Sequence, residues 1–166
     1  MIVVSNTSQL NYVTLIERIG ILPALFGKVF IPPSVARELG HELAPQTVRA
    51  WIASAPPWLE VRDPTAPDPT ISLGAGERDA LGLALELQAD ILLMDDGAAR
   101  RVASGRGLHV AGTLGVLELA DVRELVDLPE AVEALRGTSY RIRADVVQGL
   151  LDAHSRRRSR PQEEID

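Results

Sequence analysis

Of the oxygen-bearing side chains in this 166-residue chain that could handle a hard cation, five stand where chemistry could gather: Asn6, Glu38, Glu77, Asp95 and Asp96. Mg²⁺ and Mn²⁺ prefer oxygen ligands, usually a few carboxylates completed by water. The chain has no Cys and only three His, so thiolate zinc sites and cysteine nucleophiles are excluded. A metal held by oxygens lowers the pKa of a bound water and stabilises charge on phosphoryl oxygens, a chemistry suited to phosphodiesters.

The elements that must carry these residues can be read from spacing. Ile2–Ser5 is a β-branched run that predicts a buried strand, with Asn6 directly after it. Asp90–Met94 predicts a fully apolar strand, with Asp95 and Asp96 after it. Ligands of open parallel α/β sheets bind beyond the carboxyl ends of the strands, so both exits are places to look for a site. Ala75–Gln88 predicts the strongest helix, with Ala80, Leu83, Ala84 and Leu87 on one face. Glu77 continues that face toward the helix start, whereas Asp79 projects with Gly82 and Glu86. Glu38 lies beside a Val35, Leu39, Leu43 stripe on a helix opened by Pro32-Pro33. Ordinary roles stay open for each residue. Glu77 suits the first turn of a helix dipole, Asp96 and Thr113 suit N-caps, and Glu38 suits a solvated helix face. Asp95, between an apolar strand and a cap, is costly to bury without a partner.

The remaining pattern alternates strand and helix. Apolar residues from Leu10 to Ile19 predict a helix ended by Gly20, Leu22–Phe26 a further helical turn, and Lys28–Ile31 a strand. Thr47–Ile52 predicts a helix, Trp58–Val61 a strand, and the proline-rich Asp63–Thr70 a loop. Ala98–Ser104 predicts a helix, His109–Ala111 a strand, and Leu114–Leu119 the start of another helix. This order argues for an α/β domain whose largely parallel sheet is covered on both faces. Further helices are expected at Pro129–Leu135 and Ala144–Ala153, making one domain over residues 1–154 with its motifs in 1–120. Ser155–Asp166 reads as a charged, flexible tail, and its Arg156, Arg157, Arg158 and Arg160 are the dense basic cluster.

Hydrophobic residues at 46% and charged residues at 24% fit a globular chain. A net charge of −6 argues against a passive nucleic-acid coat, though not against a nuclease whose metal neutralises phosphate. The first basic residue is Arg18, unlike a secretory leader, and no apolar stretch approaches the ~18 residues of a membrane span. A cytoplasmic protein without membrane contact is the expectation.

At these residues the sequence resembles the PIN-domain family, metal-dependent ribonucleases that include the toxins of VapC-type toxin–antitoxin pairs. The likeness runs through Ile2-Val-Val-Ser-Asn-Thr-Ser8, Val29-Phe-Ile-Pro-Pro-Ser-Val-Ala-Arg-Glu-Leu39, Leu73-Gly-Ala-Gly-Glu-Arg-Asp-Ala80, Leu92-Leu-Met-Asp-Asp-Gly-Ala-Ala-Arg-Arg101 and Gly112-Thr-Leu-Gly-Val116. It is most similar to a prokaryotic subfamily with Gly-x-Gly-Glu and Asp-Asp-x-x-Ala-Arg segments. The resemblance implies a three-layer α/β/α sandwich around a mostly parallel sheet of about five strands. It also implies an Mg²⁺- or Mn²⁺-dependent endoribonuclease acting on RNA.

Carried over by position, the family's acidic quartet falls on Asn6, Glu38, Glu77 and Asp95, with Asp96 a further ligand if it turns inward. Ser8 and Thr113 would place hydroxyls near the metal or the scissile phosphate, and Arg100 and Arg101 would contact phosphate. The resemblance further implies a small antitoxin partner and a homodimer. Asn6 departs from the pattern, since the family usually has Asp there. That leaves a second reading, a PIN fold that has lost turnover and only binds nucleic acid or protein. A third reading makes Asp95 a phosphoacceptor. Against it, Lys28 is the sole lysine, whereas receiver domains need one after a late strand, and Asp95-Asp96-Gly97 lacks Asp-x-Asp spacing.

Overall fold

Short β-branched runs form the centre of the molecule in the computed structural model, which describes residues 1–66 and 68–160. The strands are β1 (Val3–Ser5), β2 (Val29–Ile31), β3 (Leu59–Val61), β4 (Ile91–Leu93) and β5 (Val110–Ala111). They pair in parallel in the order β3-β2-β1-β4-β5. Every residue of β1 and β2 is buried. Successive side chains of a strand point to opposite faces, so this central part of the sheet is covered on both. The chain thus adopts the α/β fold with a central parallel sheet that its sequence predicts.

The helices among the described residues are α1 (Thr7–Leu15), α2 (Ile21–Phe26), α3 (Pro33–Leu39), α4 (Gln46–Ala53), α5 (Ala75–Glu86), α6 (Gly97–Gly105), α7 (Thr113–Val122), α8 (Leu128–Arg136) and α9 (Ala144–Arg158). Ala80, Leu83 and Ala84 of α5 pack with Val4, Phe30, Leu92 and Met94 in one buried cluster. That contact turns the start of α5, with Glu77, toward the strand exits. Pro33 occupies the first turn of α3, where its missing N–H has no helical partner to lose.

Strand order departs from chain order at one place. The chain steps outward from β1 to β2 to β3, then returns to the other side of β1 for β4. A crevice between the carboxyl ends of β1 and β4 follows from that reversal. Ser5 pairs with Leu93, and Asn6 N–H donates to Leu93 O at 3.0 Å, so the segments leaving the two strands emerge side by side.

Three boundaries differ from the sequence reading by more than three residues. The helix expected from Leu10 to Ile19 stops at Leu15, because Glu17 takes φ 58°. Its N–H donates to Thr14 O at 3.0 Å, and that of Arg18 to Val13 O at 2.9 Å. This is a Schellman closure made without the glycine that usually marks one. Leu43 does not extend α3: Gly40 caps the helix, and Leu43 is 85% exposed in the turn beyond. The tail expected from Ser155 is still helical through Arg158. Basic side chains are favourable at a helix C-terminus, and Arg157 Nη2 is anchored on Asp121 Oδ2 at 2.8 Å. Residues 161–166 of that tail, and Pro67 of the expected loop, lie outside the described residues.

The chain forms two compact units, Met1–Thr113 and the part from Leu114 onward. The first contains the sheet and α1 to α6. In the second, buried Asp121 on α7 accepts from His154 Nδ1 at 2.8 Å, Arg157 Nη2 at 2.8 Å and Leu128 N–H at 3.2 Å. Burial pushes the Asp121 carboxyl up, but the bonds from His154 and Arg157 outweigh it and hold the group below the usual carboxylate value.

Candidate active site

All the residues expected at a site fall in the first unit, around the crevice between β1 and β4. Asn6 is the N-cap of α1 and 3% exposed. Its Oδ1 accepts from Gln9 N–H at 3.5 Å and from Ser8 Oγ at 3.0 Å. Ser8 Oγ also lies 3.1 Å from Asp95 Oδ2, so its single proton is shared between an amide and a carboxylate. Thr113 completes the group from the start of α7. Its N–H donates to Asp95 Oδ1 at 2.7 Å and its Oγ1 to Asp95 Oδ2 at 2.7 Å. Asp95 is therefore oriented by two hydroxyls and a backbone amide, which supplies the partners its position demanded.

A second group forms opposite. Glu38, exposed near the end of α3, accepts from Thr7 Oγ1 and, at 3.0 Å, from Gly76 N–H. A Cβ at Gly76 would come within 2.7 Å of Glu38 Oε1, so only glycine leaves room for this carboxylate against the first turn of α5. Glu77, on the same turn, has its carboxyl pushed up by burial first, then by the negative charge of Asp96, with Glu38 adding a smaller push that a Gly74 backbone hydrogen bond opposes. Asp96 is exposed and caps α6, accepting Ala99 N–H at 2.9 Å. It serves as the cap its sequence position suggested, while its charge is still felt at Glu77.

Asn6, Ser8, Glu38 and Glu77 line one cleft of about 450 Å³, with Gly74 and Gly76 in its wall. Among the described residues no three acidic or histidine side chains are gathered closely enough to hold one ion. The donor set nonetheless fits a hard divalent cation in kind: every group is an oxygen, and Glu77, raised by burial and then by the charge of Asp96, has no salt bridge among the described residues. Arg100 reaches back from α6, and a Cβ at Gly112 would meet its Nη1 at 3.3 Å and Asp95 Oδ1 at 3.0 Å. Arg101 instead lies over Gly97, 3.5 Å from where a Cβ would stand.

Sequence reasoning missed three residues of this arrangement. Thr7 holds Glu38, Gly76 donates to it, and Gly112 gives Asp95 its space. The signal was present, since each adjoins a motif residue: Asn6 for Thr7, Glu77 for Gly76 and Thr113 for Gly112.

Comparison with known proteins places the chain. A PilT N-terminus domain protein from the hyperthermophilic archaeon Sulfolobus solfataricus P2 is a similar solved structure, at 20% identity and a TM-score of 0.47, covering 86% of this chain and 100% of that one. The comparison with curated proteins found no match. The family model DUF3368, described as a PIN domain, matches residues 2–156, almost the whole length. With that match spanning the strand exits that carry Asn6 and Asp95, this chain belongs to the PIN-domain family.

Proposed function

We propose that the chain is a divalent-metal-dependent endoribonuclease that hydrolyses RNA phosphodiester bonds. PIN domains are generally nucleases that use divalent metals, and the cleft is consistent with that class. The observation that carries the reading is that Glu77, Glu38, Asn6 and Ser8 line one cleft at the switch point, where burial first and then the charge of Asp96 push the Glu77 carboxyl up. Such repulsion is relieved by a cation.

Glu38, Glu77 and Asp95 would supply oxygens to Mg²⁺ or Mn²⁺, with water completing the shell where these side chains stand apart, Asn6 as a neutral ligand and Asp96 beside them. The ion, when bound, supplies an acidified water and charge stabilisation at the phosphoryl oxygens. The chain's own part is positional. Thr113 and Ser8 fix the Asp95 carboxylate, Thr7 and the Gly76 amide fix Glu38, and Arg100 offers a cation to a phosphate near Asp95. A place as the toxin of a VapC-type pair, with a small antitoxin partner, a homodimeric state and a cytoplasmic location, extends this proposal on family likeness alone.

The test is incubation of a mixed RNA pool with purified protein in Mn²⁺ and in Mg²⁺, beside EDTA and an Asp95→Asn control. The expected result is cleavage that EDTA abolishes and that Asp95→Asn lowers roughly 100-fold or more. Cleavage surviving Asp95→Asn would refute the site. No cleavage in either metal would favour the second reading, a PIN fold that only binds. Buried Asn6, whose amide oxygen already serves Ser8 and Gln9, is the feature that favours that alternative.

A further inference from the structure

Beside the carboxylate cleft lies a second one, of about 490 Å³, and the two share Thr7, Asn11 and Glu38 as a common wall. Its far side is apolar, formed by Leu43, Ala44 and Pro45. Leu43 is the most exposed large apolar side chain among the described residues, so the turn after α3 holds it at the rim rather than in the core. Three polar groups interrupt this lining, and one of them, His41, is turned to the chain itself, its Nδ1 accepting from Leu43 N–H at 3.1 Å. Ser34 is 4% exposed, and its Oγ is buried with no hydrogen-bond partner. Arg37, exposed at the same cleft, takes part in no ion pair among the described residues.

A buried hydroxyl without a partner is a cost that a polar edge of a ligand relieves. Apolar walls accept the face of a flat ring, a cation at the rim accepts a phosphate, and the size is that of a small-ligand site. The shared wall places any such ring one step from the carboxylates. We propose that this cleft is a base subsite: it takes one nucleobase of the RNA strand, flanking the bond that the carboxylate cleft addresses. The base lies against Ala44 and Pro45, its polar edge meets Ser34 Oγ, and Arg37 holds the adjoining phosphate. This inference rests on the nuclease reading for the identity of its ligand.

The experiment compares a short fluorescein-labelled single-stranded RNA of random sequence with an abasic ribose-phosphate oligomer of the same length. Affinities are measured by anisotropy in Ca²⁺ for the full chain and its variants. Base-bearing RNA is expected to bind about tenfold more tightly than the abasic oligomer, the scale of one stacked and hydrogen-bonded base. Ser34→Ala removes only the unpaired hydroxyl, so its melting temperature should hold or rise while the preference falls. Adding Ala44→Leu narrows the cleft and should bring the two affinities within about twofold.

Equal affinities in the unmodified protein overturn the proposal, as does a preference that the double variant retains; a protein segment as the true occupant would give that first result. The cleavage assay separates the two readings. Metal-dependent cleavage with equal affinities sinks the subsite alone. Base preference without cleavage supports the subsite and sinks the nuclease.

Discussion

An amide at position 6 can be exchanged for a carboxylate with almost no change of shape. Asn6 Oδ1 accepts from Ser8 and Gln9, and an Asp oxygen could accept both while adding charge at the N-terminus of α1, where the helix dipole favours it. The same charge stands across Ser8 from Asp95. Asn6→Asp should therefore melt lower than the unmodified protein in EDTA and higher in Mn²⁺, with Mn²⁺ affinity raised on the order of tenfold. Melting curves with and without Mn²⁺ check this. Glu77 gives a second test. Its raised carboxyl means that protonation is favoured by folding, so the group's contribution to stability is lost as pH rises through its folded value, above the ordinary 4.5. Without metal, Glu77→Gln should melt higher than the unmodified protein at pH 7, and the difference should shrink toward pH 4.5. A difference that is flat with pH would show that neither burial nor the neighbouring charges act on Glu77. At this scale Asp95 was the most legible residue, since an acid leaving an apolar strand demands partners. Thr7 and Gly76 were legible only as neighbours of Asn6 and Glu77, because a hydroxyl and a glycine do not say which carboxylate they serve.

Elements were legible where their signals are positive. β-branched runs gave the strands, the alanine-rich stripe gave α5, and Pro33 gave the start of α3. Helix ends were less so where glycine is missing. Glu17, Gln88 and Glu124 all take positive φ and close α1, α5 and α7, whereas Gly107 does the same work after α6 at no steric cost. The helix expected at Ala98–Ser104 ends within a residue of α6, whereas the one expected from Leu10 ran on to Gly20. The same geometry gives a stability prediction. Gln88 is exposed, and its amide and that of Ala89 donate to Leu85 O at 3.2 Å and Ala84 O at 2.8 Å. Glycine keeps both bonds and removes the left-handed strain of a Cβ, so Gln88→Gly should stabilise the protein by about 1 kcal/mol despite the added unfolded-state freedom. Chemical denaturation at equilibrium measures it, and a loss of stability would show that the Gln88 side chain contributes more than its backbone costs.

Taken whole, the alternation of strand and helix revealed the class of fold, but nothing in the local pattern says that β4 returns beside β1. That pairing depends on contacts such as Asp90 Oδ2 accepting Ile2 N–H, 88 positions apart, and Val3 set opposite Ile91. β1 has a strand paired along each of its edges only when β4 is present, so a chain ending at Ala89 should show no cooperative thermal transition by circular dichroism. A sharp transition in that fragment would mean that β1 to β3 form a stable sheet alone. The strand order also sets a timetable. A ribosome making this protein emits Asn6, Glu38 and Glu77 well before Asp95 and Thr113, so the two halves of the crevice meet only late in translation. Until β4 takes its place beside β1, the growing chain holds Glu38 and Glu77 without the Asp95 carboxylate that faces them across the crevice.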